Sequence, residues 1–434
     1  AQAFEQQSQC QICAPLMALL RRAAECPARP RCSSGSRFCE RWEAHRVTYW
    51  QVPALASHRP PRRYQWDVAR RASTMQISEE RLQRLIQAEV MLFSEKKPES
   101  ISLHEVIEAS TANTSGALMS QELPVRFSHR IQQIEDLPGW RTSNCIVEVH
   151  RNYMDSFQGL RLADPSKKEV FTAEVLKLKE RMRNVIPNLA SGMRELQKSQ
   201  GFGQADIDEW LDTFLLSRIG TEMLTSQYIS FAKGSSLVSP CIPAKICERA
   251  GRHAQKLCRE HYKMHEEVIV RTISAGGHVQ FQYVPQYLFY IMLELLKNST
   301  RATVESQKEL GPVSKRPVII TVAADDTQIL IRIRDRAGGI PFSVGQRVWS
   351  YMYSTAKKET KGENFEKEGT PLAGYGVGLP LSRLYARYLG GDLRIISMPG
   401  VGTTAYLYLR RIETDAVEIH PGKLSSLSSI CDTV

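Results

Sequence analysis

The amino-acid sequence predicts an α+β protein: a helical bundle followed by a sandwich of helices on a largely antiparallel sheet. Three observations predict it. Between about 77 and 235 apolar residues recur at helical spacing with few strand signals. Beyond 260 short β-branched runs appear, and Ile329, Ile331 and Ile333 alternate with Leu330, Arg332 and Arg334 as in a half-buried strand. Between these runs lie long amphipathic stretches, the pattern of helices packed on one sheet.

The elements follow in order. Residues 1–75 lack periodicity, are rich in Pro and Arg, and read as a transit-like or disordered extension. A bundle is expected over 76–235. Its first helix starts near Ile77, with Leu82, Leu85, Ile86, Val90 and Leu92 on one apolar face. Ser102 would cap a second helix, with Glu105 at the capping-box position. Further helices are expected over 124–136, 144–160, 171–199 and 205–231, the third of these kinked or interrupted at Pro187. Residues 234–243 read as a linker. A second domain over 236–412 would then hold a helix at 243–261, strands at 268–270 and 278–283, and a long helix at 285–309. Strands at 317–322 and 328–334 follow, then a helix at 379–390 and two strands at 392–397 and 403–410. A tail, 413–434, closes the chain.

Charge and composition narrow the function. The net charge is +11, but residues 1–75 hold twelve Arg, no Lys and five acidic residues, which accounts for +7. The body is near neutral, which argues against nucleic acid as a partner. No apolar run reaches the roughly 18 residues of a membrane span; the richest, Tyr287 to Leu296, contains Glu294. Five of the ten cysteines fall within the first 39 residues, with Cys10 and Cys13 in a C-x-x-C, but the later spacings are irregular for zinc. Reduced thiols are expected. The Arg-rich, acid-poor start suggests targeting to the mitochondrial matrix.

Four fragments in the second half carry chemistry. In the first, spacings of four and three put Glu294, Asn298 and Arg301 on one helix face. A carboxylate can polarise a hydroxyl, an amide oxygen can ligate Mg²⁺, and a guanidinium can balance phosphate. The second, Asp335 to Pro341, combines a carboxylate able to accept from an exocyclic amine with the turn glycines Gly338 and Gly339. The third runs Gly374, Tyr375, Gly376, Val377, Gly378, Leu379 and Pro380 into a helix, where backbone N–H groups could cradle phosphates. The polar run 355–372 before it reads as a lid. The fourth, Gly400 to Thr404, offers the hydroxyl of Thr403. Taken singly these fragments read more readily as a solvated helix face, a capped hairpin turn, a surface loop and an ordinary hairpin.

Together, and in this order, they resemble the four ATP-site boxes of the GHKL ATPase superfamily. The stretches Leu123 to Arg130, Ser217 to Gly220, Tyr351 to Ala356 and Ser382 to Ala386 further resemble the mitochondrial pyruvate and branched-chain 2-oxo acid dehydrogenase kinases, over roughly residues 80–412. The resemblance implies a helical bundle and a GHKL-type ATP-binding kinase domain using ATP and Mg²⁺. It implies that Glu294 is the general base, Asn298 holds Mg²⁺ and Asp335 binds adenine. Arg301, Gly339, Ser354, Thr355, Gly374, Tyr375, Gly376, Val377, Gly378, Leu379 and Thr403 would complete the nucleotide site. It also implies a serine of the E1α subunit as phosphate acceptor, docking on a lipoyl domain of the E2 core, and a homodimer.

Features of both subfamilies are mixed. Tyr351 to Ala356 is similar to the pyruvate enzymes, and Arg332 to Gly339 to the branched-chain enzyme. Tyr290 stands where the pyruvate enzymes carry a His that tunes the base, and Ser299 and Thr300 replace the usual small residue and Met. The Asp-Trp motif of several pyruvate enzymes is missing from 413–434. Two other functions use the same ATP domain. A sensor-type histidine kinase would need a phosphoacceptor, for which His129 is the candidate, and a non-kinase ATP-binding module would need none.

Overall fold

A computed structural model describes residues 78–101, 105–106, 111–275, 277, 279–354 and 375–411. The N-terminal extension with its cysteines, the helix start at Ser102, the lid-like run 355–372 and the C-terminal tail lie outside the described residues.

Helix α1 spans Glu79–Ser94, opened by Ser78, whose Oγ accepts from the Arg81 N–H. Its buried stripe is narrower than the sequence pattern suggests: Ile86 and Val90 are buried, whereas Leu85 and Leu92 are about half exposed. Helix α2, Ala112–Glu135, begins twelve residues before the expected start. Thr111 and Thr114 cap each other there, and Pro124 sits inside the helix. Burial of Met119, Leu123, Phe127, Ile131 and Ile134 on one face offsets the hydrogen bond the proline removes.

Helix α3, Asn144–Leu162, is capped by Ser143. The stretch 171–199 is interrupted, one of the two expected forms: α4, Lys168–Arg181, and α5, Val185–Gln200, are separated by a 3₁₀ turn at Met182–Asn184. The break precedes Pro187, which therefore falls in the first turn of α5, where its missing N–H costs nothing. Helix α6, Gln204–Ala232, buries residues all round and forms the spine of the bundle.

The second half opens differently from expectation. The linker contains strand β1, Ser239–Cys241, paired antiparallel with β3, Phe281–Tyr283. Helix α7, Pro243–Tyr262, has proline at its first position. Strand β2 runs Val270–Ala275, later than 268–270, because Val268 turns into the core and its carbonyl accepts from Gln255 Nε2 at 2.8 Å. Helix α8, Pro285–Glu305, stops short of 309 and is followed by the single turn α9, Gln307–Leu310. Arg316 stops it: its Nη2 donates to Thr303 O and Gly311 O, both at 2.9 Å, a cation on the helix C-terminus.

Strands β4, Val318–Ala324, and β5, Gln328–Arg334, form a hairpin whose turn is tied by Asp325 Oδ1, accepting from the Thr327 and Gln328 N–H groups. Helix α10, Gly378–Tyr388, and strands β6, Asp392–Met398, and β7, Gly402–Arg410, complete the fold. The main sheet has the order β2-β4-β5-β7-β6, parallel only at β2–β4. Its buried face carries Val318, Ile320, Val322, Ile329, Ile331, Ile333, Leu393, Leu407 and Leu409, covered by α7, α8 and α10. The α+β class is thus as the sequence predicts. Among the described residues no helix is long and apolar enough to cross a membrane.

Candidate active site

The site is an open cavity of about 500 Å³ between α8, the loop after β5, the start of α10 and strands β6 and β7. Glu294, Asn298, Arg301, Asp335, Gly339, Ser354, Gly376, Gly378, Leu379 and Thr403 all line it. Two residues expected there do not: Val377 is buried beneath the loop as the residue before α10, and Tyr375 is exposed. Thr355 and Gly374 lie outside the described residues.

Helix α8 supplies one wall. Its buried side carries Ile291, Met292, Leu295 and Leu296, so positions 294, 298 and 301 turn toward the cavity. Glu294 is largely buried, and its Oε1 pairs with Lys297 Nζ at 2.7 Å. Its Oε2 lies against Gly378, where a Cβ would collide with it. The carboxylate therefore sits at the N-terminus of α10, where the helix dipole favours negative charge. Asn298 is exposed on the cavity wall, and Arg301 Nε lies 3.8 Å from Glu305 Oε1. Tyr290, one turn before Glu294, packs against Tyr385 with the rings tilted and their centroids 5.0 Å apart. Burial, and then the Glu294 charge, push its phenol well above its ordinary pKa, so it remains protonated.

Asp335 forms the floor. Its Oδ1 accepts from the Thr403 N–H at 3.1 Å and the Ala337 N–H at 3.2 Å; its Oδ2 accepts from Ser299 Oγ at 3.1 Å. Burial raises its pKa above the ordinary carboxylate value, and these three donors act against that rise. Gly339 and Gly402 make the close approach possible. A side chain at Gly339 would strike the Met398 carbonyl, and one at Gly402 the carbonyl of Asp335. Ser397 Oγ accepts from the Ile340 N–H at 2.7 Å and lies 2.9 Å from Thr403 Oγ1, so the two turns are sewn together.

The glycine loop is held from both sides. Gly376 has φ +79°, and its carbonyl accepts from the Met352 N–H at 2.9 Å. Arg194, on α5, donates to the Tyr375 carbonyl. Tyr351 is fastened to α6: its N–H donates to Asp208 Oδ1 at 2.9 Å and its hydroxyl to Asp212 Oδ1 at 2.6 Å. Lys297 could have been found from its place three residues after Glu294; the long-range partners Arg194, Asp208 and Asp212 had no local signal. His129 has its Nε2 2.7 Å from the Lys96 carbonyl oxygen.

Such a cavity can hold a nucleotide. An amine-accepting carboxylate lies on one wall, and backbone N–H groups with a helix N-terminus on another. Oxygen donors of Asn298 and Glu294 sit on a third, a small set that suits a hard cation carried chiefly by phosphate oxygens and water.

Comparison with known proteins agrees with this arrangement. Residues 89–254 match the family described as mitochondrial branched-chain alpha-ketoacid dehydrogenase kinase. Residues 283–413 match the histidine kinase-, DNA gyrase B- and HSP90-like ATPase family. A mitochondrial pyruvate dehydrogenase (acetyl-transferring) kinase isozyme 4 from Ictidomys tridecemlineatus is 31% identical over 363 residues, 78% of this chain and 87% of the relative. A mitochondrial pyruvate dehydrogenase (acetyl-transferring) kinase from Arabidopsis thaliana is 33% identical over 338 residues, covering 73% and 91%. Isozyme 3 from Homo sapiens is 32% identical over 370 residues, covering 78% and 89%. With an ATP cavity of this type behind a helical bundle, the chain belongs to the mitochondrial family of pyruvate and branched-chain ketoacid dehydrogenase kinases, enzymes that are ATP-dependent protein kinases.

Proposed function

We propose that this kinase transfers the γ-phosphate of ATP to a serine on the E1α subunit of a 2-oxo acid dehydrogenase complex, pyruvate or branched-chain, in the mitochondrial matrix, and so inactivates it. The observation that carries the reading is the meeting of the Glu294 carboxylate with Gly378 at the start of α10, inside the cavity that Asp335 also lines.

In this reading Asp335 accepts from the exocyclic amine of adenine, with Gly339 and Thr403 shaping that end. The backbone of Gly376 to Leu379, with Ser354, surrounds the phosphates, and Arg301 balances their charge. Asn298 is the ligand for Mg²⁺, which when bound neutralises charge on the phosphates. Glu294 takes the serine proton as the hydroxyl attacks, and Lys297 holds that carboxylate in place. Most of the acceleration comes from positioning and charge neutralisation.

Residues 76–235 would form the bundle domain and 236–412 the kinase domain. Docking on a lipoyl domain of the E2 core and homodimerisation through the C-terminal sheet belong to the same proposal. The edge strand β6 exposes Ile396 and Met398, which suits a sheet-to-sheet contact.

Transfer of labelled γ-phosphate to purified pyruvate and branched-chain E1 components, with their cores supplied, tests the proposal. Acid-stable phosphoserine on at least one E1α is expected. Labelling of neither contradicts it.

A further inference from the structure

Helix α8 carries four hydroxyl side chains near its C-terminal half and cap. Three of them bond back to their own helix: Thr300 to the Leu296 carbonyl at 2.8 Å, Thr303 to Ser299 at 2.7 Å, and Ser306 to Ala302 at 2.8 Å. That is the usual resting place of a helical hydroxyl. Ser299 departs from it. Its Oγ crosses to the loop after β5 and donates to Asp335 Oδ2 at 3.1 Å, with both residues buried against the cavity.

The consequence lies in how the two carboxylate oxygens are used. Oδ1 already serves two backbone N–H groups, from Ala337 and Thr403. Oδ2 has one donor, Ser299, and keeps acceptor capacity for another. The hydroxyl fixes the rotation of the carboxylate and helps keep a desolvated group in its acceptor form. An acceptor discriminates strongly between a base that offers an N–H and one that does not, because a buried polar group is left unmatched by the wrong partner.

We propose that Ser299 is a positioning residue for base selection: by holding Asp335 Oδ2 as an acceptor, it sets the preference of this kinase for nucleotides with an exocyclic amine at the adenine 6-position. The proposal rests on Asp335 being the adenine contact.

The test compares binding of ATP with that of purine riboside triphosphate, which lacks the amine, to the full chain with serine, S299A and S299T. Wild-type protein should prefer ATP. In S299A, ATP binding should weaken roughly five- to tenfold, while the purine analogue changes less than about twofold. S299T, which keeps the hydroxyl, should restore the preference. Equal weakening of both nucleotides, or of neither, in S299A overturns the role of Ser299, since loss of packing alone would not distinguish the two bases. A wild-type protein that binds both equally overturns the adenine contact itself, and is told apart because it involves no substitution.

Discussion

The hydroxyl of Tyr351 donates to Asp212 Oδ1 at 2.6 Å, and this bond joins the edge of the ATP cavity to the longest helix of the bundle. Tyr351 is fully buried, one residue before Met352, whose N–H holds the Gly376 carbonyl. Burial, and then the neighbouring carboxylate, keep the phenol protonated and therefore a donor. Tyr351→Phe should cost about 1–2 kcal/mol in denaturant unfolding and weaken ATP binding several-fold. A double-mutant cycle with Asp212→Asn should return a coupling of about 1 kcal/mol. Additive effects would mean that the bond does not link the two.

Lys297 is 2% exposed and pairs with Glu294 at 2.7 Å. Removing one partner of a buried pair leaves the other charge uncompensated, at a cost of about 3–5 kcal/mol. Lys297→Met should therefore lower stability by roughly that amount, and Glu294→Gln by less, since the amide oxygen still accepts from the ammonium. Thermal unfolding of both variants checks the order.

Gly376 and Gly378 serve different needs. At Gly376, φ +79° and the Met352 backbone 2.7 Å from any added Cβ make alanine strained, so Gly376→Ala should lose about 1–3 kcal/mol together with nucleotide binding. Gly378 has ordinary helical geometry, and its alanine would push only on the Glu294 carboxylate. Gly378→Ala should keep its fold, seen by circular dichroism, and lose phosphate transfer by about 10²-fold or more.

Asp392 joins α10 to β6, with Arg387 Nε at 3.0 Å and Arg394 Nε at 3.1 Å. Burial works against its charge, but the hydrogen bond and attraction of Arg387, then Arg394, hold its pKa below the ordinary value. A carboxylate lowered on folding stabilises above its unfolded pKa, about 4, and that contribution disappears as pH falls through the folded value. Asp392→Asn should thus cost about 1–2 kcal/mol at pH 7, and wild type and variant should converge on acidification below about pH 4. A gap that stays constant with pH would place the effect in packing instead.

Much of the site was legible because its signals are local. Three positions on two turns of α8, and glycines before a helix, declare themselves by spacing. The interruption near Pro187 was legible from the proline itself, though not its place at Met182–Asn184; the early start of α2 was not legible, because tertiary burial decided it against the local signal of Pro124. Strand β1 hid in a linker since three residues acquire strand form only by pairing with Phe281–Tyr283. The grip of Arg194, Asp208 and Asp212 on the cavity rim joins residues more than a hundred positions apart, and no periodicity encodes it. Ser299 was visible as a replacement, but only the carboxylate across the helix–strand gap gives it a task.

The most direct measurement follows Glu294→Gln through two steps on one sample: ATP binding by calorimetry and labelled phosphate transfer to E1α. The account predicts binding within about threefold of wild type and transfer reduced by at least about 10²-fold. Transfer retained within a few-fold, with ATP still bound, would contradict Glu294 as the base and with it the proposed chemistry of the cavity.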